Sequence, residues 1–137
     1  MIGLVIVAHG GLAWEMLAAL EHVVGRQAGA RAIAIGPDDD LRLKQDEIRA
    51  AVAEVDTGEG VAIVTDMFGG TPSNLAMAAA RNGLVEVIYG ANMPLLVKLA
   101  KLRNLPLEEA VARSVEAGRK YVNSVGGVLG RTGAAAS

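Results

Sequence analysis

The sequence predicts an α/β protein: a doubly wound, mostly parallel four-stranded sheet with helices on both faces. Three observations predict it. Four short apolar runs, Ile2–Val7, Arg31–Ile35, Gly60–Thr65 and Val85–Tyr89, each have strand length. They are continuous rather than alternating, which suits strands covered on both faces. Between them lie segments with apolar residues at helical spacing, and single helices between strands imply parallel pairing through right-handed crossovers. Finally, a chain of 137 residues with 52% hydrophobic but only 3% aromatic content forms one domain around an aliphatic, alanine-rich core.

Taken in order, the first strand in "GLVIVAHGG" runs Leu4 to Ala8 straight into His9 and a glycine pair. Leu12, Met16, Leu17, Leu20, Val23 and Val24 then form a helical stripe that Gly25 ends. Leu41, Ile48, Val52 and Val55 predict a second helix after the second strand. An alanine-rich third helix runs from Leu75 to Arg81 and is closed by Asn82-Gly83. Leu95–Leu102 form a fourth, and Leu107, Ala110, Val111, Val115 and Ala117 a final one. There is no internal repeat and no linker. Residues 1–124 are expected to be a single domain. Residues 125–137, within the stretch "NSVGGVLGRTGAAAS", form a glycine- and alanine-rich tail or exchanged segment.

Composition excludes several functions. Net charge is -2 and the Lys and Arg residues are scattered, which disfavours nucleic-acid or acidic-membrane binding through a basic face. The absence of cysteine excludes disulfides, Cys-ligated zinc and thiol catalysis. Two histidines without carboxylates at ligand spacing argue against a metal site, and no cofactor is called for. No apolar run approaches the roughly 20 residues that span a bilayer, so no membrane insertion and a cytoplasmic location are expected.

In open α/β sheets ligands bind outside the carboxyl ends of the strands. The first strand ends in His9-Gly10-Gly11, the third in "TDMFGGTPSN" and the fourth in "YGANMP". His9 and Asp66 thus stand at equivalent strand exits. If those strands are neighbours, the Asp66 carboxylate accepts the Nδ1 proton, orients the ring and leaves Nε2 free as a nucleophile. In "GGTPSN", Thr71 suits a helix cap, Pro72 the first helical position, and Gly69 and Gly70 allow close backbone approach. A helix start is an anion site. Gly10 and Gly11 are placed to open their helix in the same way. A phosphoryl group on His9 could be held by these amides and the Thr71 hydroxyl, in a reaction that is mostly positioning and charge stabilisation.

"VIVAHGGLA", "DMFGGTPSNLA" and "EVIYGANMPLL" together resemble the mannose-family IIA component of the bacterial phosphoenolpyruvate-dependent sugar phosphotransferase system. The resemblance covers residues 1 to about 120, in order, and "D-x-x-GG-[ST]-P" is its most specific part. It implies a phosphotransferase whose His9 receives a phosphoryl group from HPr and passes it to a histidine of a IIB partner. Asp66 would orient His9, Gly10, Gly69, Gly70 and Thr71 would bind the phosphate, and Phe68 would serve partner docking. The family also implies a homodimer with an added antiparallel C-terminal strand exchanged between subunits. The glycine-rich end departs from that pattern, and Gly10 and Gly11 stand where a bulky residue is often seen.

Other readings compete for the same residues. A receiver-like domain phosphorylated on Asp66 would need Asp38–Asp40 to reach it for Mg²⁺, and its partner lysine is not evident. A hydrolase would need Ser73 beside His9, without a G-x-S-x-G elbow. "GGVLGRTG" at 126–133 has glycines but no Walker lysine. A dihydroxyacetone-kinase phosphotransfer subunit shares the expected chemistry, though "GGTP" favours the mannose-type group. A regulatory phosphorelay without sugar transport also fits. His22, the "PDDD" turn and Asn92 read as structural.

Overall fold

A computed structural model describes residues 1–80 and 84–130. Strand β1 (Gly3–His9) is buried along its length apart from His9. It is flanked by β2 (Ala30–Ile35) and β3 (Val61–Thr65), with β4 (Val85–Ile88) outside β3, in the order β2-β1-β3-β4. Every pairing is parallel, with Val7 opposite both Ile33 and Thr65.

The helices are α1 (Leu12–Val24), α2 (Leu41–Val55), α3 (Thr71–Ala79), α4 (Met93–Lys101), α5 (Leu107–Lys120) and a four-residue turn, α6 (Val125–Val128). Successive strand side chains point to opposite faces, so a strand apolar at every position feeds two cores. Leu4, Ile6 and Ala8 pack with Leu20 of α1, Leu96 and Leu99 of α4 and Ala110 of α5. Val5 and Val7 pack with Ile48 and Val55 of α2 and Ala76 of α3. The continuous runs are therefore explained by burial on both faces, and alanine lets the helices approach the sheet closely.

The end of the sheet away from His9 is tied by Arg103, which follows α4 and is only 4% exposed. It donates hydrogen bonds to the Ile2 carbonyl (2.7 Å), the Gly29 carbonyl (2.9 Å) and Gln27 Oε1 (3.1 Å). Burial pulls its pKa below the ordinary arginine value.

Two local expectations need correction. Thr71 is not the cap of α3: Gly70 takes that place, no side chain caps it, Thr71 is the first helical residue and Pro72 the second. The antiparallel C-terminal strand is not found among the described residues. Ser124 caps a helical turn at Val125–Val128, its Oγ accepting from Gly127 N–H at 2.9 Å, and two glycines there have poor strand propensity. The Arg81 and Asn82-Gly83 helix end, and residues 131–137, lie outside the described residues.

Candidate functional site: the exits of β1 and β3

The chain crosses from β1 to β2 on one side and reaches β3 and β4 on the other, so the order reverses between β1 and β3. Such a switch point opens a crevice at the carboxyl ends of the two strands. His9 is the last residue of β1, and Asp66 follows the last residue of β3 directly. Adjacency of these strands brings together two residues 57 positions apart. Gly10 turns the chain away at once, with φ +56°, and its N–H bonds the Ile35 carbonyl at 2.9 Å.

Asp66 Oδ2 lies 2.8 Å from His9 Nδ1 and 3.0 Å from the His9 main-chain N. Its Oδ1 accepts from Met67 N–H at 3.0 Å. Burial opposes ionisation of Asp66, but the hydrogen bonds from His9 and Met67 and the imidazole charge outweigh it. The carboxyl is held below the usual carboxylate range. An ionised carboxylate only accepts, so Nδ1 is the nitrogen that donates to it, and in the neutral ring Nε2 carries the lone pair. The His9 side chain is 49% exposed while Asp66 is 13% exposed, so the orienting group is sheltered and the ring is accessible.

The other side of the ring faces the start of α3. A Cβ built on Gly70 would stand 3.0 Å from His9 Cε1 and 3.3 Å from Nε2. The backbone that opens α3 therefore lies against the free nitrogen, and only glycine leaves the ring in place without a shift. Gly69 supplies the turn before it, with φ +87°. With Gly70 uncapped and Pro72 lacking an N–H, the helix start offers few amide donors but no side chain competes for them.

His9, Gly10 and Thr71 line one cleft of about 360 Å³ with Gly36, Pro37 and Asp39. None of its lining residues is Lys or Arg. Asp39 Oδ2 accepts from Gly36 N–H and faces Lys44 Nζ at 3.9 Å, while Asp40 Oδ1 caps α2 through Arg42 and Leu43 N–H. These carboxylates hold the loop before α2. With both Asp66 oxygens engaged, no acidic cluster forms around it, and no group of three His, Cys, Asp or Glu suited to a metal occurs among the described residues. Ser73 is fully buried, and its Oγ has no partner among the described residues, His9 included. Asn92 is structural: it caps α4 through Leu95 N–H and donates to the Gly118 carbonyl. His22 lies exposed in the last turn of α1.

Phe68 is 60% exposed and stacks obliquely on Tyr89, whose ring centroid is 4.8 Å away. Tyr89 and Met67, at the exits of β4 and β3, and Trp14, in the first turn of α1, are likewise large exposed apolar side chains, which motif reasoning missed. The available signal was the placement of large apolar residues at strand exits and in the first turn of α1, where no core requires them.

The family described as PTS system fructose IIA component, EIIA-man, matches residues 3–116. The chain is 32% identical over 127 residues to the mannose-specific EIIAB component of Escherichia coli (strain K12), covering 90% of this chain and 39% of that relative's length. It is 32% identical over 127 residues to the phosphotransferase enzyme IIA component YadI of the same organism, covering 91% and 87%. The mannose/sorbose specific IIA subunit of Enterococcus faecalis superposes with a TM-score of 0.82 at 26% identity, covering 90% of this chain and 94% of that one. The IIA protein associated with the fucose utilization operon of Streptococcus pneumoniae gives 0.80 and 26%, covering 93% and 95%. With the matched family spanning both strand exits and the α3 turn between them, the chain belongs to the mannose-family IIA components of the sugar phosphotransferase system.

Proposed function

We propose that the chain is a phosphoryl carrier that takes the group from phospho-HPr onto His9 Nε2 and hands it to a histidine of a IIB partner. The observation that carries this reading is the two-sided hold on His9: Asp66 at Nδ1, the glycine start of α3 at Nε2. The Nε2 lone pair forms a new N–P bond as the N–P bond to the donor imidazole breaks and its electron pair returns to the donor ring. Asp66 stabilises the imidazolium character that develops on His9. The transferred oxygens, in this reading, rest on the amides of Gly69, Gly70 and Thr71, the Gly10 amide and the Thr71 hydroxyl. Phe68 and Tyr89 form the apolar seat for the donor and acceptor proteins. The carrying unit is residues 1–124, with 125–137 as a tail. The carrier works as a homodimer, a reading supported by the exposed apolar residues Tyr121, Val122, Val125, Val128 and Leu129; sedimentation equilibrium showing a monomer at working concentration would remove it.

Incubation with phosphoenolpyruvate, enzyme I and HPr should give one acid-labile label per chain, absent in His9→Ala, that chases onto purified IIB. An acid-stable, base-labile label would point to an acyl phosphate on Asp66 instead, and label persisting in His9→Ala would overturn the assignment.

A further inference from the structure

Outside the His9 crevice, a concavity of about 450 Å³ lies between α4 and α5. Lys98 and Lys101 line it from α4, Arg113 and Lys120 from α5, against one carboxylate, Glu116. Four cations thus converge on one cleft in a chain whose formal net charge is -2. Cations in the last turn of a helix offset its dipole, which accounts for Lys98, Lys101 and Lys120 one at a time. It accounts neither for their convergence nor for Arg113, which stands in the middle of α5.

The fold neutralises this cleft only in part. Lys98, Lys101 and Lys120 form no ion pair among the described residues, whereas Arg113 is steadied by Glu109 at 2.8 Å. Like charges on facing walls repel, so a bound anion would relieve the arrangement. Val97 and Ala117 give the cleft an apolar lining, and Tyr121 stands at its side with Lys120 Nζ 5.5 Å from the ring centroid. A volume of this size admits a small molecule rather than a protein surface. Cations on both walls suit phosphoryl groups, and the apolar lining with Tyr121 suits an organic body.

We propose that the α4–α5 cleft binds a small organic phosphate, a nucleotide or a sugar phosphate, separately from phosphoryl transfer at His9. Calorimetric titration of the full chain with Mg²⁺-free ATP and with fructose 1,6-bisphosphate tests this and distinguishes the two sources. At least one should bind saturably with Kd below about 1 mM and weaken as salt is raised. Lys98→Glu and Arg113→Glu, each on the surface and checked for folding by circular dichroism, should weaken it at least about tenfold. Lys101→Glu serves if either misfolds. His9→Ala should bind as the parent does. The proposal is overturned if neither ligand binds, or if binding survives the charge reversals or is lost in His9→Ala. Equal binding of inorganic phosphate, or tighter binding of a hexaglutamate peptide, overturns it as well.

Discussion

One oxygen of Asp66, Oδ2, accepts both the main-chain N–H and the ring N–H of a single residue, His9. The backbone bond fixes where β1 ends relative to β3, and the ring bond fixes the imidazole about that anchor. The position of the His9 ring and the nitrogen it donates from are thereby set by the same atom.

Asp66→Asn should therefore keep the fold and lose the chemistry. An amide retains one acceptor but cannot stabilise an imidazolium, so the rate of label transfer from phospho-HPr should fall about 10²- to 10⁴-fold. Weakened charge-assisted bonds should cost about 1–3 kcal/mol in denaturant unfolding at neutral pH. A parental transfer rate would refute the orienting role.

The acid limb of stability follows from the same carboxylate. Its pKa is lower folded than unfolded, so the unfolded chain binds the proton more readily. The stabilisation is complete above the unfolded value of about 3.9 and is lost as pH falls through the folded value. The stability difference between parent and Asp66→Asn, measured by thermal unfolding, should be constant at neutral pH and shrink below about pH 4.

Gly70→Ala separates packing from chemistry. The φ of -91° at Gly70 is open to any residue, so stability should change by only about 1 kcal/mol. The new methyl would press on Cε1 and Nε2, turning the ring off Asp66. Transfer should drop at least about tenfold, with a changed His9 ring ¹⁵N shift; an unchanged shift would contradict the close approach.

Arg103→Ala is expected to do the reverse. It removes the guanidinium donor from the Ile2 carbonyl and one of the two donors from the Gly29 carbonyl, which keeps Leu4 N–H, and leaves a cavity at the far end of the sheet, costing about 2–4 kcal/mol in denaturant unfolding. Below the shifted melting temperature the protein should still accept label at the parental rate.

Phe68→Ala should raise KM for phospho-HPr with little change in kcat, as expected for a residue that seats the donor without touching the reacting nitrogen. Loss in kcat alone would place Phe68 in the reacting centre.

Most of the architecture was legible because it depends on period and continuity. The unbroken apolar runs Leu4–Ala8 of β1 and Val61–Val64 of β3 suit burial on both faces, and His9 and Asp66 followed from the strand exits. The pairing of those two residues needed strand order, which a run of valines does not encode. Thr71 was misplaced by one position because helix caps depend on backbone angles: Gly70 is extended at φ -91°, ψ 174° and takes the cap without a side chain. Phe68 on Tyr89, and Arg103 beneath β1, join residues distant in sequence through contacts that no periodicity announces.

The cleft beside His9 contains Asp39 and no lysine or arginine. A phosphoryl group held there would remain an unbalanced dianion, bordered by the Asp66 and Asp39 carboxylates. The loaded and empty carriers would then differ sharply in local potential. A partner could tell them apart by attraction alone, docking on the charged form and leaving once the group has gone.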